Sequence, residues 1–331
     1  MPKAVAEEYK ELTHYTTAAG LAGIVSNGCL WASHASFLND AEEMRHFFNA
    51  RLPDLAFTES LIYANELAQT SEYAKRIELE GGIDKISRLE AQMWARSLRD
   101  VTLTFNHPYI FSLSATSDPL VAENGLLSQW RGYGGDGGYA LVFDTAEFDR
   151  LLKIEGETYH YQHALWGNVH YYEIDPKSQP SSEDVAESEA VVRTGIARMM
   201  RGGTAEETKG FYEAVSGLSC LYKHWGFWEE HELRVIAIPV DAEIARLATA
   251  QGETRLQKPI KTFLRGGLPV PYLELFTQPS SSHVRTRLPI KRVIVGPHRE
   301  GLLRAKAVQR LLTENNYDVE VVCSKIPYIG R

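Results

Sequence analysis

The stretch Lys223-His-Trp-Gly-Phe-Trp-Glu-Glu-His-Glu-Leu-Arg-Val-Ile-Ala-Ile-Pro-Val240 joins the chain's strongest strand signal to its densest group of polar and aromatic residues. From Leu233 to Val240 apolar residues occupy both alternating faces, the pattern of a central strand covered on both sides. A strand already under way at Glu230 places Glu230, Glu232 and Arg234 on one face and His231 on the other. Two readings of these carboxylates stay open. One is a salt-bridged strand entrance in which Arg234 or Lys223 neutralises the glutamates. The other is general acid–base or glycoside-type chemistry, in which crowding drives two pKa values apart.

Working outward, strands are expected at His14-Tyr-Thr16, Tyr109-Ile-Phe-Ser-Leu-Ser114 and Tyr139-Ala-Leu-Val-Phe143. Thr16 or Thr17 can cap a helix carrying Leu21, Ile24 and Val25 on one face, with Gly28 at its end. A short strand at Trp31 then leaves into a loop, where Asn39-Asp40 can cap the next helix. The C-terminal part reads strand, helix, strand: Arg292-Val-Ile-Val, a helix with Ala305, Val308 and Leu312 in register, and Val319 to Val322. Helical composition fills about 41–104, broken at Gly81-Gly82, and about 180–222. These signs predict an α+β chain with a mixed β-sheet core, one domain over 1–331 with two helical insertions.

Composition narrows the class. With 331 residues, 44% hydrophobic and 24% charged, the chain can bury a large core and is not of disordered type. The longest apolar runs are too short to cross a bilayer and the first ten residues lack an apolar signal core, so a cytoplasmic location without membrane contact is expected. Cys29, Cys220 and Cys323 are odd in number and scattered, which speaks against a disulfide framework or a thiolate metal cage. The net charge of −8 disfavours general nucleic-acid binding. The locally basic stretches Arg255–Arg265 and Arg285–Arg299 read as solvated surface.

Other motifs are weaker. Gly132, Gly134 and Gly137 match the letters of a dinucleotide fingerprint but lead into a strand, whereas that fingerprint works by leading into a helix. The glycines from Gly132 to Gly138 read instead as a loop or gate beside the sheet. Ser112 and Ser114 project to one side of their strand. His14 is a structural hydrogen-bonder or a substrate contact. No His-Glu-x-x-His pair, Cys-x-x-Cys pair, Walker loop or nucleophile elbow is present, so no metal is expected.

Taken in order, His14-Tyr-Thr, Phe37-Leu-Asn-Asp, Phe111-Ser-Leu-Ser, Trp130-Arg-Gly-Tyr, the Lys223 to Arg234 cluster and Ser324-Lys-Ile-Pro-Tyr resemble the bacterial domain-of-unknown-function family 2971. The resemblance spans roughly residues 9 to 329. That family is similar, more distantly, to the ADP-ribosyltransferase superfamily. The resemblance implies an ADP-ribosyltransferase-like core acting on NAD without a metal, in a toxin or antiphage effector. Glu232 would then stabilise the positive charge developing on the ribose, and Glu230 would serve the incoming nucleophile. His14, Tyr15, Thr16, Ser112, Ser114, Trp130 and Tyr133 would bind NAD, with Tyr133, Trp130 or Tyr15 stacking on nicotinamide. The acceptor would be a protein or nucleic acid. The alternatives are an NAD glycohydrolase with water as acceptor and a catalytically silent sensing or interaction module. The catalytic readings require His14, Ser112 and Glu232 to meet at one cleft.

Overall fold

The computed structural model describes residues 5–38, 42–105, 107–133, 137–172, 183–204, 210–279 and 286–327. The first strands are β1 (Glu11–Thr16), β2 (Leu30–His34), β3 (Tyr109–Ala115), β4 (Tyr139–Asp144), β5 (Tyr159–Asn168) and β6 (His170–Tyr172). They are followed by β7 (Tyr222–His224), β8 (Glu232–Pro239), β9 (Leu256–Gln257), β10 (Ile260–Arg265), β11 (Leu268–Leu275), β12 (Ile290–Val295) and β13 (Glu320–Cys323). Eleven of them form one mixed, largely antiparallel sheet; β6 and β7 pair separately. The chain is thus α+β, as its sequence suggests.

β8 lies between β3 and β5, and every one of its residues is buried. Leu233, Val235 and Ala237 face the main core beneath the sheet, with Leu12, Phe111 and Phe143. Ile236 and Ile238 face a second cluster with Ile110 and Cys220. This two-sided burial is why the strand carries β-branched residues on both faces.

The feature that shapes the site is a fork on β3. Along one edge β3 pairs with β8 without a break, from Tyr109↔Ala237 to Ser114↔Glu232. Along the other it pairs first with β2, at His34↔Tyr109 and Ser33↔Ile110, and then with β1, at Thr13↔Ser114 and Leu12↔Ala115. Between these two ladders β1 and β2 part, and the edge of Phe111–Leu113 faces the gap.

The helix after β1 runs Ala18–Asn27; the Thr17 hydroxyl accepts from Gly20 N–H at 3.2 Å, and Gly28 closes it in the left-handed conformation that glycine tolerates. The two helical insertions form one layer. Helices Leu52–Leu67, Ile83–Phe105, Glu183–Met200 and Phe211–Leu221 share a core of Phe47, Leu55, Ala95, Val192, Phe211 and Leu218. Helix Phe211–Leu221 joins this layer to the sheet through Cys220. None of the described helices is long and apolar enough to cross a membrane.

Several local expectations need correction. The connection between β3 and β4 is not only polar loop: helices Pro119–Asn124 and Leu127–Tyr133 occupy it, so Trp130-Arg-Gly-Tyr133 is helical. The basic stretch Arg255–Arg265 contains the strand β10, which forms a hairpin with β11 through a two-residue turn, Gly266-Gly267, with both glycines at positive φ. It is also not all solvated, because Lys258 is buried against Glu155, Nζ to Oε1 2.6 Å, over the ring of Tyr159.

Candidate functional site

The Lys223–Arg234 segment is built differently from a strand that starts early. After β7 the chain makes a 3₁₀ turn, Trp225–Glu230, capped by His224 Nδ1, which accepts from Gly226 N–H at 3.1 Å. His231 takes φ 42°, a left-handed conformation, and β8 begins only at Glu232. Glu230 and Glu232 therefore converge through a reversal of the backbone at His231, not through strand alternation.

Both carboxylates meet one ammonium. Lys223 Nζ donates to Glu230 Oε2 at 2.7 Å and to Glu232 Oε2 at 2.8 Å. Arg234 holds Glu232 from the other side, Nε to Oε1 2.8 Å and Nη2 to Oε2 3.1 Å, while its Nη1 donates to the Cys220 carbonyl at 2.6 Å. Lys223, Glu232 and Arg234 are 4%, 6% and 2% exposed, so this is an ionic network within the protein rather than a surface pair. Burial pushes the Glu232 pKa up, but Arg234 and Lys223 outweigh it and hold the carboxyl at about 2, fully ionised at neutral pH. The Ser114 hydroxyl donates to the Glu230 carbonyl at 2.8 Å, and Glu232 N–H donates to the Tyr171 oxygen at 2.8 Å, which fixes the backbone on both sides of the reversal.

His14 closes the fork. Its Nδ1 lies 3.0 Å from the Ser112 carbonyl, within the stretch of β3 that faces the gap. A carbonyl only accepts, so Nδ1 carries the proton and Nε2 keeps its lone pair. Burial lowers the His14 pKa to about 4, more than the Ser112 contact raises it, so the ring is neutral at pH 7. The ring packs on Phe111 at 4.4 Å between centroids.

A cleft of about 1010 Å³ opens over this fork. His14, Ser112, Tyr133, Glu230 and Glu232 line it, together with Lys223 and Arg234. Beneath lies a recess of about 70 Å³ bounded by Thr13, Ser114 and Gln129 as well as His14, Tyr15 and the two glutamates. The structure thus brings His14, Ser112, Ser114, Tyr133, Glu230 and Glu232 to one place.

Trp130 is not part of it. It is 1% exposed, its indole N–H donates to the Asn124 carbonyl at 3.1 Å, and its edge meets Tyr15 at 4.8 Å. The Tyr15 oxygen accepts from Leu126 N–H at 2.8 Å, so Trp130 and Tyr15 dock helix Leu127–Tyr133 on the sheet. Of the three proposed stacking aromatics only Tyr133, 39% exposed, presents its ring to the large cleft. The Thr16 hydroxyl lies against Gly20 and lines neither cavity. At the far end of the glycine stretch, a side chain on Gly137 would come within 3.2 Å of the Pro297 carbonyl and His298. That end is packed on the loop after β12, which does not suit a gate; residues 134–136 lie outside the described residues, as do Asn39-Asp40 and Tyr328.

The sequence reading missed other lining groups: Trp31 and Ser33 on β2, Arg265 at the end of β10, and Arg45, His46 and Asn49 from the helical layer. His46 stacks on Tyr172 at 3.3 Å, 5° from parallel. Only the Gly266-Gly267 turn signalled that Arg265 ends a strand; nothing in a helical pattern tells that Arg45 and His46 face a cleft. Among the described residues no group of three or more His, Cys, Asp or Glu is arranged to hold a metal ion.

Residues 129–235 match the family described as protein of unknown function (DUF2971). The DUF2971 match begins just before Trp130 and ends within β8, so it contains Tyr133, Lys223, Glu230, Glu232 and Arg234, while His14, Ser112 and Ser114 lie before it. No curated protein and no solved structure matches the chain.

Proposed function

We propose that the cleft binds NAD and that the protein cleaves the nicotinamide–ribose bond, transferring ADP-ribose to a macromolecule. The observation that carries this reading is a carboxylate ionised at neutral pH, Glu232, sharing a cleft with a second carboxylate, Glu230, and a neutral histidine, His14. As the bond between ribose C1′ and the nicotinamide nitrogen breaks, its electron pair moves to the ring and neutralises it, leaving positive charge on the ribose. A fixed carboxylate near that charge stabilises the transition state more than the ground state. The acceptor then bonds to C1′ and gives its proton to Glu230. His14 Nε2 is an acceptor for a ribose hydroxyl, and Tyr133 offers a ring for nicotinamide. In this proposal the forked mixed sheet is an ADP-ribosyltransferase-like core. The volume of the cleft is at the upper end for ligand sites, in keeping with a dinucleotide.

One observation favours a second reading. Both Glu232 oxygens are engaged by Lys223 and Arg234, as in a structural ion pair, which suits a catalytically silent binding cleft. Incubating the protein with labelled NAD and a cell lysate separates these. The transferase releases nicotinamide and labels protein or nucleic acid, and Glu232→Gln, assayed below its own melting temperature, lowers nicotinamide release by ~100-fold. Nicotinamide without labelled macromolecule identifies a glycohydrolase. Neither product, with NAD still bound, leaves the silent cleft.

A further inference from the structure

We infer that Trp31 is the platform on which the purine ring of a bound nucleotide stacks, with Arg265 of the same cleft to meet phosphate. The inference rests on the nucleotide reading of the cleft but assigns a part of it that neither the motifs nor the family match covers. Trp31 stands on β2, one of the two strands that part at the fork, and is 39% exposed where it lines the cleft. Its position is fixed from behind: the ring lies 4.4 Å from Tyr272 and 5.3 Å from Phe263, on the hairpin strands β11 and β10. A large ring held by two others, yet left open toward a cavity, is pre-organised to take a flat partner without loss of rotamer freedom.

The charges around it suit an anion. Glu274 is the cross-strand neighbour of Trp31, but Lys261 Nζ sits 2.6 Å from its Oε2 and offsets its charge. Arg265 ends β10, its guanidinium is anchored on the Phe37 carbonyl, and it lines the same cleft. Ser33, two residues along β2 and so on the same face as Trp31, lines the cleft too and supplies a hydroxyl. The bland alternative is that Trp31 only caps the aromatic group of the hairpin. That role uses the buried side of the ring and does not call for a cationic and a hydroxyl group lining the same cleft. A purine with phosphate attached uses all three.

Calorimetric binding of two probes tests this. ADP-ribose carries the purine and no nicotinamide; ribose 5-phosphate carries neither ring. Trp31→Ala is expected to weaken ADP-ribose by roughly tenfold or more, the scale of one lost base stack, and to leave ribose 5-phosphate unchanged. Trp31→Phe, which keeps a smaller ring on Tyr272, is expected to lose less, and it replaces the alanine variant if that one melts early. Unchanged ADP-ribose affinity in the variant overturns the platform. So does an equal loss for both probes, which marks Trp31 as structural. A wild-type protein that binds neither probe overturns the nucleotide reading itself and this inference with it.

Discussion

Lys223 decides how the two glutamates behave. It is buried, it touches both carboxylates, and with Arg234 it makes a network of two positive and two negative groups. Glu232 has its pKa lowered from 4.5 to about 2 in the folded protein, so its contribution to stability is complete above pH 4.5 and is lost as pH falls toward about 2. Lys223→Met removes one cation and leaves two neighbouring carboxylates that cannot both stay ionised cheaply. Breaking a buried network from one side costs ~3–5 kcal/mol, and the carboxyl pKa must rise. The acid-unfolding midpoint of Lys223→Met should therefore move to higher pH, with Lys223→Arg restoring part of the shift. Urea melts at a series of pH values measure this. An acid midpoint equal to that of the wild type would show that Arg234 alone keeps Glu232 ionised.

At the scale of elements, a single sequence reveals what a local pattern encodes. β8 was legible because apolar residues on both faces can only be a covered strand, and the helix Ala18–Asn27 because Thr17 and Gly28 mark its ends. The start of β8 was not, because nothing local separates a strand from a 3₁₀ turn followed by a left-handed His231. Trp130 and Tyr133 stand three residues apart on one helix, and the sequence cannot tell that the first is core and the second lines the cleft. The β10–β11 hairpin was hidden by Lys261 and Arg265, although Gly266-Gly267 marked the turn. It is this hairpin that backs Trp31, and Lys258 ties its leading end to the core through Glu155. Glu155 also accepts from Tyr161 O–H at 2.6 Å and from Phe276 N–H at 2.9 Å. Lys258→Met therefore leaves a partly satisfied carboxylate, and the expected loss lies near the lower end of the ~3–5 kcal/mol for a broken buried pair. Amide exchange should quicken across 260–275 more than across β8. Equal protection in the variant would show that the hairpin is held by its own pairing and by Tyr272.

Across the whole molecule the histidines couple the sheet and the helical layer to pH. His14 on β1, His34 on β2 and His46 beside the cleft are each lowered to about 4, in every case chiefly by burial, with His107 adding to the effect at His34 and His224 at His46. His163 on β5 and His170 on β6 are lowered by burial as well, opposed by Glu213 and Glu189 respectively, with Arg51 reinforcing the shift at His170. Folded, the rings of His14, His34 and His46 stay neutral down to about pH 4; unfolded, they take up protons near the ordinary value of 6.5. Between those two values the unfolded chain binds more protons, so stability is full above 6.5 and falls as pH drops toward 4. This window lies above the one in which Glu232 is protonated, so the two effects are separable. The melting temperature should decline between about pH 7 and pH 5, before the ionic network at Lys223 is touched. His14→Gln tests the share of one site, because its amide N–H can still donate to the Ser112 carbonyl across the fork but has no proton to gain. The variant should lose less stability than the wild type over the same drop in pH. An identical decline would mean that His14 titrates in the folded protein as it does in water, and that water reaches its ring through the cleft.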